Sequence, residues 1–123
     1  MTNKGWIGVD LDGTLAKYDG GLGANHFGEP IKRMVDRVKS WRIRGIEVRI
    51  FTARVCGINS TNAYTRLEAT KAKVAIDKWS KRVFGETLPV TNEKDYDMIE
   101  LWDDRCVQVE PNTGKVMTTA GWR

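Results

Sequence analysis

Two carboxylates placed directly after a short apolar run constrain this chain more than any other feature of its sequence. The run, residues 5–9, has the length of a strand, and Asp10 and Asp12 follow where the charge begins. Side chains two residues apart on an extended segment point the same way, so both carboxylates can address one substrate atom. Gly13 permits a sharp turn, into which Thr14 can hydrogen-bond. Because open α/β sheets bind ligands at the carboxyl ends of their strands, this stretch predicts a ligand site there.

An Asp-Gly turn that closes a hairpin is the alternative interpretation of this stretch. The position of Asp10 immediately after the apolar run, together with the second carboxylate at Asp12, argues against it. Two carboxylates held close together need a counter-cation, and Mg²⁺ is the usual choice for oxygen ligands. Asp10 and Asp12 are therefore candidate metal-binding residues.

Strand and helix signals alternate along the rest of the chain, which predicts an α/β fold with a mainly parallel sheet and helices on both faces. Residues 16–29 are rich in glycine and have no clear period, as is typical of a loop over the active edge. Strands are predicted at residues 6–10, 46–51, 88–91, 98–102 and 106–109, with a last short strand near Val116.

Two amphipathic helices are predicted between the first three strands. The first covers residues 31–44, with an apolar stripe at Met34, Val35, Val38 and Trp41. The second is capped by Ser60 or Thr61 and is closed by Gly85. Its apolar positions include Tyr64, Leu67, Ala75, Trp79 and Phe84. Trp41 and Trp79 fall on these stripes, which favours core positions over base-stacking platforms.

Length and composition limit the class of protein. The 123 residues predict a single domain, 1–123, and Cys56 and Cys106 are too few for a disulfide framework. No apolar run is long enough for a membrane span, and the segment before the first strand leaves no room for a signal peptide, so a cytoplasmic location is expected. The net charge of +4 favours an anionic substrate by steering but does not establish nucleic-acid binding.

Polar side chains also follow two of the other predicted strands. Thr52 ends the second strand, so its hydroxyl and a neighbouring backbone N–H can bind phosphate oxygens beside Asp10. Arg54 can add a planar fork for the phosphate or the leaving group. The adjacent Asp103 and Asp104 end the fourth strand and repel each other unless a cation is close, which favours a metal, although Arg105 can also neutralise them.

These residues, taken in order, resemble the four motifs of the haloacid dehalogenase-like (HAD-like) superfamily, whose members are mostly Mg²⁺-dependent phosphatases and phosphotransferases. The likeness covers about residues 7–105 and extends more distantly to small phage-borne hydrolases and to the phosphatase domain of phage polynucleotide kinases. It implies a three-layer Rossmann-like domain, and the gaps between the motifs are too short for a cap domain. The motif positions are the Asp-Leu-Asp-Gly-Thr stretch at 10–14, then Thr52, Lys94, and the pair Asp103 and Asp104.

The resemblance implies hydrolysis of a phosphomonoester through an aspartyl-phosphate intermediate. Asp10 would be the nucleophile, and Asp12 the general acid and then the general base. Thr52 and Lys94 would hold the phosphoryl oxygens, with substrate binding assigned also to Thr14 and Arg54. Lys94 lies closer to Asp103 than the equivalent lysine does in many relatives, and Lys71 and Lys73 are the alternatives for its role.

The implied cofactor is Mg²⁺, held by Asp10, the backbone carbonyl of Asp12, and Asp103 or Asp104. The implied substrate is a phosphorylated small molecule, such as a nucleotide, or a nucleic-acid end. A site without a cap admits a bulky substrate such as a nucleic-acid end, or else it requires a second subunit as a lid. A non-catalytic HAD-like module that binds a phosphate ligand or assists assembly is the alternative, against which the presence of both Asp10 and Asp12 argues. His26, in the glycine-rich loop, is a candidate for substrate contact or proton relay, although solvation alone also explains it.

Overall fold

Four parallel strands form one sheet in the computed structural model, which describes residues 5–20, 23 and 25–117. The strands are β1 (Trp6–Asp10), β2 (Glu47–Phe51), β3 (Val90–Thr91) and β4 (Met98–Trp102). They lie in the order β3-β2-β1-β4, and each neighbouring pair is parallel. An α/β fold with a parallel sheet is therefore confirmed.

Two α-helices connect the first three strands. Helix α1 (Lys32–Ile43) lies between β1 and β2 in the chain, and α2 (Ala63–Phe84) between β2 and β3. The N-cap of α2 is Asn62, whose side chain accepts a hydrogen bond from the Thr65 N–H, rather than Ser60 or Thr61 as predicted. Neither helix in the described part of the chain is long and apolar enough to cross a membrane. The stripe predicted for α1 is buried as expected, at Met34, Val35, Val38 and Trp41.

Both helices pack on the same face of the sheet. Ile7 of β1 pairs in register with Val48 of β2, and both belong to one buried cluster with Val38 and Trp41 of α1 and Ile76 and Trp79 of α2. The connections from β1 to β2 and from β2 to β3 both move toward the same edge of the sheet. Because such crossovers are right-handed, both helices lie on one side of the sheet. Helices were predicted on both faces, but in the described residues the return from β3 to β4 contains none.

Aromatic and charged side chains cover part of the opposite face. Trp6 is 1% exposed and stacks on Phe51, with 6.5 Å between the ring centroids. The guanidinium of Arg49 lies 4.4 Å from the centroid of the Trp6 ring, and Trp6 Nε1 donates to Asp95 at 2.9 Å. The segment that returns to β4 therefore contributes Asp95 where a second helix layer was expected.

Two further parts of the prediction are wrong. Residues 106–109 form no strand; instead Val109 makes an isolated antiparallel bridge to Val116 across the turn that starts at Pro111. That turn supplies a local partner, so the segment does not add to the sheet. Tyr64 and Leu67 are 73% and 51% exposed. The buried side of α2 is instead formed largely by small residues, with Ala69 and Ala72 on it, and Leu67, nine positions before Ile76, lies on the far side of the helix.

Candidate active site

Three carboxylates, one at the end of β1 and two directly after β4, converge at the carboxyl edge of the sheet. The register pairs Asp10 with Phe51 and Val9 with Trp102, so the residues that follow β2 and β4 lie beside the end of β1. Oxygen atoms of Asp10, Asp103 and Asp104 all lie within 4.8 Å of one another. They open onto a cavity of about 340 Å³, here called the acidic cleft, whose lining includes Asp10, Asp12, Thr52, Arg54, Asp103 and Asp104.

A tight turn after β1 sets the spacing of the first two carboxylates. Leu11 is fully buried between them, and its carbonyl accepts hydrogen bonds from the N–H groups of Leu15 and Ala16 at 3.0 and 2.9 Å. Gly13 has a φ of +90°, and a Cβ added there would lie 2.5 Å from Asp104 Oδ2. Glycine is therefore required at this position both by the backbone conformation and by the approach of Asp104.

Replacing Gly13 by alanine is expected to weaken divalent-cation binding by about tenfold or more, because the new methyl group must displace the Asp104 carboxylate. Gly85→Ala is the matched control, since Gly85 has a φ of +84° with nothing within 4 Å of an added Cβ. Both variants should lose roughly 1–2 kcal/mol of stability from backbone strain. Titration with Mg²⁺ by calorimetry checks the difference, and equal metal affinity in the two variants would contradict the placement of Asp104.

The surroundings of Asp10 disfavour the charged form of its carboxyl group. Burial, the charge of Asp103, a hydrogen bond and charge from Asp104, and the charge of Asp12 together raise the pKa of Asp10 from its ordinary value of 3.8 to about 7. Thr14 Oγ1 lies 3.4 Å from Asp10 Oδ2 and 3.5 Å from Asp104 Oδ1, between the two carboxylates. Carboxylates placed together in this way supply hard oxygen donors, so the donor set suits a hard divalent cation.

The raised pKa fixes how the stability of the metal-free protein depends on pH. Because Asp10 titrates near 3.8 in the unfolded chain and at about 7 in the folded one, its contribution to stability is fully present below the lower value. The contribution is lost as the pH rises through about 7. We expect the melting temperature in chelator to fall between about pH 4 and about pH 7, and Mg²⁺ to reverse the fall.

Melting curves of two neutralised variants test this assignment. Asp10→Asn should remove most of the fall, whereas Asp97→Asn, which changes an exposed carboxylate, should leave it in place. An unchanged pH profile in Asp10→Asn would show that Asp10 is not the group that holds the proton.

Arg54 holds Asp12 in the wall of the cleft. Its Nε and Nη2 donate to the two oxygens of Asp12 at 2.9 and 2.8 Å, and Nη2 also donates to the His26 carbonyl at 2.8 Å. The guanidinium carbon lies 4.7 Å from the centroid of the Phe27 ring. The sequence predicted a substrate-binding Arg54, and the structure shows it fixing the direction of the Asp12 carboxylate. A two-point fork of this kind is geometrically specific.

Thr52 and Lys94 occupy different environments at this edge. Thr52 is 2% exposed; its N–H donates to the Thr91 carbonyl, and its hydroxyl accepts from the Arg54 N–H at 3.1 Å, which leaves the hydroxyl proton as a donor. Lys94 is exposed and, within the described residues, forms no ion pair with Asp10. It does lie near the cluster: burial and the charges of Asp103, Asp10 and Asp104 raise the pKa of Cys106, and Lys94 opposes that rise.

The alternatives considered for Lys94 are engaged elsewhere. Lys71 lies 3.5 Å from Glu68, and Lys73 lies 2.8 Å from Asp77, all on α2. Arg105 lines the acidic cleft, but none of the ion pairs in the described part of the chain joins it to Asp103 or Asp104.

Two residues of the glycine-rich loop matter in ways the sequence did not indicate. His26 contributes through its backbone carbonyl, as described, while its ring Nε2 lies 3.0 Å from Asp19 Oδ2. Tyr18 lines the acidic cleft, six residues after Asp12, and was not predicted as a site residue. An aromatic residue within a glycine-rich loop next to paired carboxylates is the only sequence signal for it.

Comparison with known proteins supports the fold. No protein-family model and no curated protein matches the chain. A solved structure of a conserved protein coded by a locus from Bacteroides thetaiotaomicron is similar, with a TM-score of 0.52 and 20% sequence identity. The match covers 85% of this chain and 79% of that one. At this identity the likeness supports the α/β fold alone.

Proposed function

We propose that this protein is a Mg²⁺-dependent phosphomonoesterase of the haloacid dehalogenase-like type, acting through an aspartyl-phosphate on Asp10. The observation that carries the proposal is the convergence of Asp10, Asp103 and Asp104 within 4.8 Å, with Asp12 in the wall of the same cleft. Three carboxylates this close together are electrostatically unfavourable without a cation. Their combination with a fourth, separately oriented carboxylate fits a metal-assisted transfer of a phosphoryl group.

The two steps of hydrolysis divide between Asp10 and Asp12. A carboxylate oxygen of Asp10 attacks phosphorus and forms a P–O bond while the bond from phosphorus to the ester oxygen breaks. Asp12 gives its proton to the departing oxygen and then takes a proton from the water that attacks the aspartyl-phosphate. That second attack releases inorganic phosphate, restores the Asp10 carboxylate and leaves Asp12 protonated for the next cycle.

The surrounding residues offset charge and fix positions. Mg²⁺, when bound by Asp10, the Asp12 carbonyl and Asp103 or Asp104, supplies the positive charge that lets a carboxylate approach a phosphate dianion. The Thr52 hydroxyl donates a hydrogen bond to a phosphoryl oxygen. Lys94, which is exposed, reaches in from solvent and donates a second one. Arg54 is a positioning residue, since its fork fixes the direction of the Asp12 side chain, which carries out both proton transfers.

The finer description of the fold belongs to the same proposal. The strand order β3-β2-β1-β4 with a site at the carboxyl edge supports a Rossmann-like HAD-like core. Between β1 and β4 the described residues form no inserted cap domain. An uncapped cleft of this kind accepts a nucleotide or a nucleic-acid end directly, or uses a second copy of the chain as a lid.

Release of phosphate from 4-nitrophenyl phosphate tests the proposed function. We expect turnover with Mg²⁺, none with a chelator, and its return when Mg²⁺ is restored in excess. Phosphate or a phosphorylated ligand that binds with Mg²⁺ but is never hydrolysed would favour the alternative, a non-catalytic binding or assembly module.

A further inference from the structure

A second and larger cavity adjoins the acidic cleft. It has a volume of about 540 Å³, within the range of small-molecule sites, and is here called the tyrosine cavity. Its lining shares Asp12, Tyr18 and Arg54 with the acidic cleft, so the two spaces meet at the Asp12–Arg54 pair. Its far wall comes from the N-terminal half of α2, with Tyr64 among the lining residues.

The position of Asp12 connects this cavity to the chemistry. In the proposed reaction the phosphoryl group lies at Asp10 and the leaving oxygen receives its proton from Asp12. The organic part of the ester must therefore extend past Asp12, away from the acidic cluster. The tyrosine cavity begins at that boundary, with Asp12 in its wall.

The tyrosine cavity has the surface chemistry of a site for a flat ring. Tyr18 and Tyr64 both line it and are 58% and 73% exposed, an unusual exposure for two aromatic side chains around one space. Ala69 and Ala72, which also line the cavity, are buried and present only methyl groups. The tyrosine rings can stack on a nucleobase, and the Glu68 carboxylate can accept hydrogen bonds from a ribose.

The charges of the lining argue against a long polyanion in this space. Asp12 and Glu68 are acidic, and the cation in the lining, Arg54, donates twice to Asp12. A neutral nucleoside avoids the repulsion that a second backbone phosphate would meet there. Among the described residues of this wall, Arg54 is the basic side chain, and a nucleic-acid track requires several.

From these observations we infer that the tyrosine cavity is the leaving-group subsite of the enzyme and that its substrates are nucleoside monophosphates, with the base stacked against Tyr64 and Tyr18. This inference rests on the proposed function for the direction of the ester. The binding of the nucleoside itself rests only on the cavity.

A pair of substrates that differ only by the base gives the kinetic test. We expect kcat/KM for a nucleoside 5′-monophosphate to exceed that for ribose 5-phosphate by about tenfold or more, through KM. Tyr64→Ala should remove that advantage by lowering kcat/KM for the nucleotide far more than for ribose 5-phosphate, while Tyr64→Phe keeps it. Leu67→Ala is the matched control, because Leu67 is an exposed side chain of the same helix outside the cavity lining. Since Tyr64 is largely exposed, its truncation should fold normally.

Alkylation of the two exposed cysteines provides a test that needs no turnover. Cys56 lines the tyrosine cavity, whereas Cys106 does not and serves as the internal reference. With N-ethylmaleimide and peptide mass mapping, the product nucleoside should slow modification of Cys56 and leave Cys106 unaffected. Ribose alone should protect neither.

Each result is informative about one of the two proposals. If no phosphate ester is hydrolysed but the nucleoside protects Cys56, the proposed function fails and the nucleoside site stands. If esters are hydrolysed but Tyr64→Ala matches the wild type on both substrates, or the nucleoside gives no protection, the subsite inference is overturned. A 5′-phosphorylated oligonucleotide preferred over the mononucleotide would overturn it in favour of a nucleic-acid end.

Discussion

Asp10→Asn is expected to lower phosphate release by about 10⁴-fold or more, because an amide oxygen cannot form the aspartyl-phosphate. The substitution keeps the shape of the side chain and removes one negative charge from the crowded cluster. The folded protein should therefore melt no lower than the wild type at pH 8 in chelator, which separates loss of chemistry from loss of fold. Steady-state release of phosphate from an aryl phosphate, with melting curves on the same samples, checks both parts.

The matched control for this variant is Asp97→Asn, which makes the same chemical change at an exposed position of the return from β3 to β4. It should hydrolyse the aryl phosphate at the wild-type rate. Acid-quenched wild-type enzyme should carry label from a phosphorus-labelled substrate, and Asp10→Asn should carry none. Activity of Asp10→Asn within tenfold of the wild type would rule out covalent catalysis by Asp10.

Asp12→Asn is expected to lose about 10²–10⁴-fold in kcat on esters with alkyl leaving groups and much less on nitrophenyl phosphate. The reason is that an alkoxide must be protonated as it leaves, whereas a nitrophenolate is stable without a proton. Mg²⁺ affinity should change little, since the proposed ligand at this position is the backbone carbonyl. The measurement is kcat across a series of esters of graded leaving-group pKa, for the variant and the wild type.

The quantity compared is the slope of kcat against leaving-group pKa in the variant and in the wild type. A steeper dependence on leaving-group pKa in Asp12→Asn supports its role as the acid. The same loss for every ester would instead indicate that the variant disturbs the fork of Arg54, because an amide offers that fork only one acceptor. Arg54→Lys, which also breaks the two-point contact, provides the comparison for that case.

The strands that carry the acidic residues could be predicted from the sequence, because each strand is marked by a short apolar run directly before its aspartates. The apolar run before Asp10 gave β1 its observed bounds, Trp6–Asp10, and the run before Asp103 gave β4 its bounds, Met98–Trp102. Parallel pairing then brings strand ends together without further information. Which faces the helices cover also follows from crossover handedness, but only once the strand order is known, and no local pattern specifies that order.

The contacts that the sequence did not indicate depend on packing between distant segments. Arg54 and Asp12 are 42 residues apart, and their pairing requires the turn after β2 to meet the turn after β1. Tyr64 is of a residue type that is often found in cores. In α2, however, the buried side is formed by residues such as Ala69 and Ala72, and Tyr64 lies in the wall of a cavity. The segment at 106–109 alternates like a strand but finds its partner in its own turn.

The placement of the metal ligands on β1 and β4 has a consequence for the motions of the protein. In the described sheet β4 is an edge strand, and it pairs with β1 across a separation of about ninety residues of chain. An ion shared by the Asp10 and Asp103 ends acts as a removable cross-link between these two segments, closing a loop that contains both helices. Hydrogen exchange at the amides of β4 should therefore respond to occupancy of the acidic cleft, which would make an edge strand of the sheet the reporter of its metal site.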